Sequence, residues 1–384
     1  MSKRRLLGAT LATLLLAATA SAWAQVKIGV IASATGPTAF VGIPQKNSVA
    51  LLPKKAGDLT IEYIVFDDAS DSTQSVQLTK RLLTESKIDA LIGPSGSPNA
   101  MGVLQFMAES QTPMLAPVGT AAVVVPMDDK KRWVFKTHPN DDVISDGLIA
   151  AMTRRGVKTV GFIGYNDPYG ESWYKTFAPM AEKAGLQIVA NERYARTDNS
   201  VTAQVAKLMA AKPDAILVAG VAAGAALPQM QLVDAGYKGQ IYHTHGSATG
   251  AFIQIGAKKV EGALVVGPLL IVPEEIPDSF PSKKTTVEYV TTYEKQFGAR
   301  PPIFGAGVYD AGLMLARAIP EAARKGKPGT PEFRSALRDA LEGTRELVTS
   351  QGVVTMTPQD HSGYDHRGRV LVTVKDGKFV LVKD

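Results

Sequence analysis

The sequence contains no cysteine among its 384 residues. This absence excludes disulfide bonds, thiol chemistry and a lipid anchor attached to a cysteine that follows an export signal. Beyond the N-terminal segment the chain also lacks an apolar run long enough to cross a membrane. Charge of one sign is not in large excess, since 42 Lys and Arg stand against 36 Asp and Glu. This balance gives no indication of a nucleic-acid partner.

The first 24 residues have the pattern of an export signal. The charged segment Lys3-Arg4-Arg5 precedes an apolar stretch, Leu6–Ala20, and Ala22-Trp23-Ala24 is a small-residue cleavage site. The apolar stretch is too short to favour an uncleaved anchor. We therefore expect cleavage after Ala24. The net charge of +6 then falls to +3, because the three basic residues leave with the leader. A mature chain of about 360 residues suggests two domains.

Short apolar runs alternate with helical segments in two successive series. The first series has strands at Val26–Ile31, Leu59–Phe66 and Ile88–Ile92, and the second extends from Val157 to Val266. This alternation predicts an α/β fold with two doubly wound parallel sheets. Helical segments and short strands follow the second series, which suggests that the chain passes more than once between two lobes. We predict that residues 25–138 and 269–350 form one lobe and that residues 139–268 and 351–384 form the other.

A central stretch from Leu91 to Thr120 reads as strand, turn, helix and strand. Ser97 is predicted to be the helix N-cap, with Pro98 in the first helical position. In a parallel sheet the turns after both strands lie at the carboxyl edge, where open α/β folds bind ligands. Ser97 and the first N–H groups of the helix would make a carboxylate site there, and Thr120 would add a hydroxyl from the neighbouring strand.

No enzymatic motif is present at these turns. Gly93–Ser97 is followed by no Gly-Lys-Ser/Thr, as a phosphate loop requires, and it lacks the last glycine of a nucleophile elbow. Asp67, Asp68 and Asp71 are expected to form a solvated edge or a hinge contact rather than a metal site. His243 and His245 could share one side of a strand, but no third metal ligand is evident. We therefore predict a binding protein without catalytic residues, metal or cofactor.

Seven segments in order carry a resemblance to a known family. The chain resembles the periplasmic substrate-binding proteins of ABC importers for branched-chain amino acids, the type I (Leu/Ile/Val-binding) class. The segments are VKIGVIASATGPTAFVG, FDDASD, LIGPSGSPNA, PMLAPVGTA, VGFIGYNDPYGES, PDAILVAG and VEGALVVGPL. The resemblance covers the mature chain. It implies a periplasmic location, two lobes joined by a multi-strand hinge, and a ligand bound in the cleft between them.

The resemblance also assigns site residues. In the family, a serine in one turn and a backbone group plus a threonine in the next turn hold the ligand carboxylate. The matching positions here are Ser97, Val118 and Thr120. Tyr169 would lie over the ligand from the second lobe, and Phe40 would add an apolar wall.

Two departures from the family pattern bear on the ligand. The amino-acid binders carry an acidic residue in the turn that here is Tyr242–Gly246, and it neutralises the ligand ammonium; this turn has no acid, and His245 is the best match. If the match to the family pattern is shifted by two residues in this loop, His243 occupies that position instead. An aromatic residue is also replaced by the smaller Val221 and Ala222.

These departures favour a carboxylate without an ammonium group, such as an aromatic or keto acid, over a branched-chain amino acid. An ammonium buried without a counter-charge would cost several kcal/mol. His245 could hydrogen-bond a distal hydroxyl or keto oxygen in either tautomer. We predict an exported, monomeric solute receptor that closes on its ligand and delivers it to a membrane permease. The alternative is a ligand-sensing receptor domain that partners a signalling protein.

Overall fold

The computed structural model describes residues 25–383, so the predicted leader and its cleavage site lie outside the described residues. Within that range, none of the helices is long and apolar enough to cross a membrane. The first strand begins at Gln25.

The first sheet of the described chain has six strands in the order β2-β3-β1-β4-β5-β6. All neighbours are parallel except β2 and β3. Three helices alternate with these strands, as the sequence predicts. The elements are β1 Gln25–Ala32, α1 Ala39–Val49, β2 Lys55–Ala56, β3 Leu59–Asp67, α2 Ser72–Arg81, β4 Ala90–Ile92, α3 Ser97–Glu109, β5 Met114–Ala116 and β6 Val134–Lys136. We call this sheet and the helices packed on it lobe 1.

A second sheet of seven strands has the order β15-β14-β11-β10-β9-β7-β8. Five of its strands run parallel, and the last two strands of the chain extend it as an antiparallel edge. We call this sheet and its helices lobe 2. Its elements are α4 Asp141–Arg154, β7 Thr159–Tyr165, α5 Pro168–Lys183, β8 Gln187–Tyr194, α6 Thr202–Ala211, β9 Ala215–Ala219, α7 Ala223–Asp234, β10 Gln240–His243, α8 Gly250–Gly256, β11 Leu264–Gly267, and later β14 Val370–Lys375 and β15 Lys378–Leu381.

The segment between β11 and β14 returns to lobe 1. It forms α9 Lys283–Phe297, α10 Phe304–Ala322, α11 Pro331–Glu342 and a short hairpin of β12 Leu347–Val348 and β13 Val353–Val354. One face of α10 is buried against the first sheet, with Val308, Met314 and Leu315 in the core of lobe 1. Thr330 caps α11 by accepting a hydrogen bond from the Phe333 N–H.

Local sequence explains several turns. Asp376 and Gly377 both have positive φ, 53° and 70°, which a tight hairpin between β14 and β15 requires. These two residues therefore form the hairpin turn. The helix after β4 differs from its prediction, because Gly96 and not Ser97 is the N-cap. The Gly96 backbone is extended while its carbonyl accepts the first helical bond from Ala100. Ser97 is therefore the first helical residue, and its hydroxyl does not cap the helix.

The last crossing between the lobes differs from the predicted division of the chain. Val354, Met356 and Tyr364 are part of the core of lobe 1, although the prediction assigns residues 351–384 to lobe 2. The Lys136 N–H also donates to the His361 carbonyl at 2.8 Å. These contacts place residues 353–364 against the edge of the first sheet. The strands that follow belong to the second sheet, so the chain crosses there after Tyr364.

Asp89 provides a test of how lobe 1 is held together. Its buried carboxylate accepts hydrogen bonds from the backbone N–H of Lys27, at the start of β1, and of Gly329, ahead of α11. Asp89→Ala should lower the free energy of unfolding by about 1–3 kcal/mol, because it removes the charged acceptor of two partly buried backbone hydrogen bonds. Urea denaturation would measure this loss. The exposed Asp129→Ala serves as the control, and an equal midpoint shift in both variants would contradict the assignment.

Candidate functional site

The loops after the parallel strands of both sheets converge on one cavity. In lobe 1, β1 lies between β3 and β4, and in lobe 2, β7 lies between β8 and β9. Each is a point where the strand order reverses, which is where open α/β sheets form a crevice at their carboxyl edge. Here the two crevices face each other and enclose a cavity of about 280 Å³. The structure therefore builds the site from both lobes.

Five of the eight residues predicted for the site line this cavity. Lobe 1 contributes Ser97 and Val118, and lobe 2 contributes Tyr169, Val221 and His245. The start of α3 points at the cavity through Ser97, which is 5% exposed and makes no hydrogen bond through its hydroxyl within the described residues. The first N–H groups of a helix have no intrahelical acceptor, so this end of α3 provides the kind of donors that an anion requires.

Thr120 lies outside the cavity lining, and its hydroxyl already has partners. It donates to the Pro168 carbonyl of lobe 2 at 3.1 Å and accepts from the Ala122 N–H at 3.2 Å. Beside it, the Ala121 N–H donates to Ser172 and Asp141 of lobe 2. Thr120 therefore joins the two lobes in this structure. The expectation that its hydroxyl contacts a ligand carboxylate is not met by this geometry.

Phe40 and Ala222 also lie away from this cavity. Both line a neighbouring depression, which is shared with α8 and the loop before α10. Phe40 is 38% exposed, and its ring packs edge-on against Phe304 with centroids 6.0 Å apart. Phe304 lines both the cavity and the depression, so it and not Phe40 provides the aromatic wall at this end. Phe304 was not predicted from the sequence, because it arrives from α10, far along the chain.

The two histidines that sequence alone could not separate have different surroundings. His243 is fully buried, with Nδ1 3.0 Å from the Ser247 hydroxyl and Nε2 2.9 Å from the Gln229 side-chain oxygen. Both of its nitrogens are therefore occupied by structural partners. His245 lines the cavity, and its buried Nδ1 makes no hydrogen bond in the described structure. Burial keeps His245 neutral by lowering its pKa well below the usual value.

Tyr169 is held in place at the start of α5. Asp167 caps this helix through the N–H groups of Tyr169 and Gly170, and the Tyr169 hydroxyl lies 2.8 Å from the Thr244 hydroxyl. Burial raises the pKa of Tyr169, so the phenol stays protonated.

Arg196 also lines the cavity, although it was not predicted from the sequence. Its guanidinium forms an ion pair with Asp167 at 2.5 Å and lies over the Tyr165 ring.

The cavity wall carries no carboxylate among the described residues. The polar groups on it are hydroxyls, amides, the guanidinium of Arg196 and the imidazoles of His138 and His245. His138 is a further residue that the sequence analysis missed. Burial, followed by the nearby charge of Lys136, lowers the pKa of His138 to about 4. Both imidazoles are therefore uncharged at neutral pH. The cavity can balance a negative ligand charge but offers no carboxylate for a positive one.

The aspartates after β3 have structural partners. Asp67 accepts hydrogen bonds from the N–H groups of Thr35 and Ala69, and Asp71 caps α2. Asp68 is buried, and it accepts from the Ser75 hydroxyl and from the Asn99 amide. Among residues 25–383, no group of histidine and acidic side chains is arranged to hold a metal ion. The cluster shapes the turn beside α3 and does not form a metal site.

A family model described as periplasmic binding protein matches residues 25–378. The chain belongs to the periplasmic binding protein family. Members of this family bind small molecules in the periplasm and deliver them to ABC transporter permeases, so the protein is a binding protein and not an enzyme. The predicted fold, two α/β lobes around a cleft, is confirmed.

Similar proteins agree with this assignment. The Leu/Ile/Val-binding protein BraC3 of Rhizobium johnstonii is 25% identical over 344 residues, which cover 87% of this chain and 88% of that protein. An extracellular ligand-binding receptor from Rhodopseudomonas palustris HaA2 has a structure with a TM-score of 0.88 and 42% identity, covering 93% of this chain and 99% of its own. LivJ from Streptococcus pneumoniae, solved with isoleucine, shares the fold at a TM-score of 0.75 and 18% identity, over 94% of this chain and all of its own.

Closure of this binding protein depends on a glycine. A Cβ added at Gly119 in lobe 1 would lie 2.6 Å from the Tyr169 ring and 3.3 Å from His245 Nε2, both in lobe 2. Gly119→Ala should therefore prevent the lobes from meeting and weaken binding of any ligand that requires closure by about tenfold or more. Calorimetry would measure the affinity, and small-angle scattering would measure ligand-induced compaction.

The matched control is Gly102→Ala in the middle of α3. A Cβ there would be 3.8 Å from Val76, an ordinary contact, so affinity and compaction should be unchanged. If Gly119→Ala binds and compacts as the unmodified protein does, the contact between Gly119 and lobe 2 does not limit closure.

Proposed function

We propose that this protein is the solute-binding component of an ABC importer that takes a small carboxylate without an ammonium group, an aromatic or keto acid, from the periplasm. The single observation that carries this proposal is the absence of any aspartate or glutamate from the wall of the cavity in the described chain. An α-amino acid enclosed there would bury its ammonium without a counter-charge, at a cost of several kcal/mol.

The carboxylate of the ligand would lie at the start of α3. There it would accept hydrogen bonds from the Ser97 hydroxyl and from the first N–H groups of the helix, whose dipole favours an anion. Ser97 and Asn99 are each only 5% exposed, so these bonds form away from bulk water. The Asn99 side chain is already held by Asp68 and Ser75, so its backbone and not its amide would face the anion.

The rest of the ligand would lie between apolar and aromatic groups. Tyr169 and Val221 border the cavity from lobe 2, and Ile303 and Phe304 border it from the segment ahead of and within α10. The small side chain of Val221 leaves room for a ring where the family pattern has an aromatic residue. Ligand contacts to both lobes would stabilise the closed form, which is the form presented to a permease. We also propose that the protein is monomeric and that it is exported with cleavage after Ala24.

Removing the Ser97 hydroxyl tests the carboxylate position. Ser97→Ala should weaken binding of the preferred acid by about tenfold, because it deletes one hydrogen bond to a charged acceptor. Isothermal titration calorimetry at neutral pH gives the affinity. Ser110→Ala is the matched control at the other end of α3, where the hydroxyl bonds locally to the Met107 carbonyl. Equal affinities for the two variants would remove Ser97 from the site.

A ligand panel tests the ligand class. The mature protein, unfolded and refolded to remove any ligand carried through purification, is screened by thermal shift. The panel comprises benzoates, hydroxycinnamates, phenylpyruvate, aliphatic keto acids, and leucine, isoleucine and valine. Stabilisation by acids that lack an amine is expected, with none by the amino acids. Stabilisation by the branched-chain amino acids alone would overturn the proposed ligand class while leaving the family assignment intact.

A further inference from the structure

A buried chain of hydrogen bonds ends at the cavity on His138. Gln351, between β12 and β13, places its side-chain oxygen 2.5 Å from His138 Nδ1. The Gln351 nitrogen lies 2.9 Å from the Thr137 carbonyl and 2.9 Å from a carboxylate oxygen of Asp310. His138 is 7% exposed, and both His138 and Gln351 line the cavity.

This arrangement determines which nitrogen of His138 carries the proton. Turning the Gln351 amide around would place its oxygen against two acceptors, the Thr137 carbonyl and the Asp310 carboxylate. The amide oxygen must therefore face His138, and it can only accept a hydrogen bond. His138 then donates from Nδ1. Because a neutral imidazole has one N–H, Nε2 of His138 is left as an acceptor.

The surroundings of His138 oppose a second proton. Lys136 is buried beside it and donates to the His138 and Pro139 carbonyls at 3.1 Å and 2.5 Å. Two acids are packed in this region: Asp310 is bonded to the Gln351 amide, and Asp141 is hydrogen-bonded to Ser172 and to the Ala121 N–H. Neither carboxylate lines the cavity. His138 therefore remains a neutral acceptor, and its Nε2 makes no hydrogen bond within the described residues.

His243 differs from His138, because both of its ring nitrogens have protein partners. His243 has the same kind of glutamine partner, since Gln229 donates from its amide nitrogen to the Lys259 carbonyl and accepts at its oxygen. Its other nitrogen is satisfied by Ser247. His138 has the glutamine but lacks the second protein partner. The chain thus fixes an unpaired acceptor on a ring that lines the cavity and packs beside Gly307 of α10.

We propose that Nε2 of His138 accepts a hydrogen bond from an uncharged hydroxyl on the ligand, so that the protein selects hydroxylated carboxylic acids. The proposal rests on the proposed function and narrows its ligand class. A keto oxygen in the same place would bring two acceptors together. An ammonium would be a donor, but it would be enclosed in a cavity without a carboxylate. A hydroxyl is the group that satisfies Nε2 without adding charge.

The test uses matched acids that differ only at the hydroxyl. They are 4-hydroxybenzoate against benzoate and 4-methoxybenzoate, and 4-hydroxycinnamate against cinnamate, measured by calorimetry on refolded protein. We expect the hydroxylated member to bind about 10- to 100-fold more tightly, because its absence leaves a buried acceptor unpaired. If the acids bind without a preference for the hydroxylated member, the assignment of His138 is overturned and the proposed function still stands. If none of these acids binds, the selection of hydroxylated acids is overturned, and the proposed function fails only if the keto acids of the panel do not bind either.

A substitution separates His138 from the rest of the cavity. In His138→Asn the amide nitrogen can still donate to Gln351, but the acceptor at the position of Nε2 is gone. The preference for the hydroxylated acid over its matched acid should disappear, and this ratio is the readout rather than the affinity for either acid alone. His366→Asn, at an exposed histidine, is the control and should retain the preference. A preference that persists in His138→Asn would overturn the proposal.

Nitrogen-15 NMR of the histidine side chains tests the tautomer without any ligand or substitution. The proposal requires His138 to show a protonated Nδ1 and an unprotonated Nε2 at neutral pH. A proton on Nε2, or a doubly protonated ring, would contradict it. This measurement remains decisive if His138→Asn fails to fold.

Discussion

Closing the two lobes takes a set of polar groups out of water, and the charge of that set limits what the cavity can hold. Arg196 lines the cavity, but its guanidinium is already paired with Asp167. Burial lowers the pKa of Lys136 to about 8, so its ammonium remains largely protonated at neutral pH. With the start of α3 added, the groups around the cavity favour an anion and provide no carboxylate for a cation. The proposed ligand follows from this charge distribution.

Closure also depends on contacts that no ligand makes. Thr120 donates to the Pro168 carbonyl, and Gly119 lies against Tyr169 and His245 with no room for a side chain. These contacts hold the turn after β5 against the start of α5. A ligand that touches both lobes adds to them, so binding and closure stabilise the same state. The absence of a side chain at Gly119 is therefore as important to the site as the side chains that line it.

The region where the chain crosses between lobes has a second role. Asp310 accepts hydrogen bonds from Ser350, Gln351 and Tyr364, which joins α10 to the last crossing. The same network orients the Gln351 amide and, through it, His138. This buried network fixes the orientation of the Gln351 amide, because the alternative would place acceptors against one another in a low-dielectric interior. The last crossing between the lobes thus determines, through Gln351, which nitrogen of His138 can accept a hydrogen bond.

Much of this protein was determined by local sequence. The alternation of apolar runs and helices predicted two parallel sheets, and the turn after β4 predicted Ser97 as a site residue, which lines the cavity. The sequence also showed that the turn after β10 has no acid to face a ligand ammonium. These features could be predicted because strand and helix periodicity, and the residues of a turn, act over a few neighbours.

Tertiary structure decided the rest. It gave His243 two protein partners and left His245 at the cavity, placed Phe40 outside and Phe304 inside, and used the Thr120 hydroxyl between the lobes. It also joined His138 to Gln351, residues 213 positions apart. No local pattern encodes such a pair, because the direction of a side chain in a loop is set by the groups that fold against it. Those groups come from distant parts of the chain and meet only when the lobes have formed.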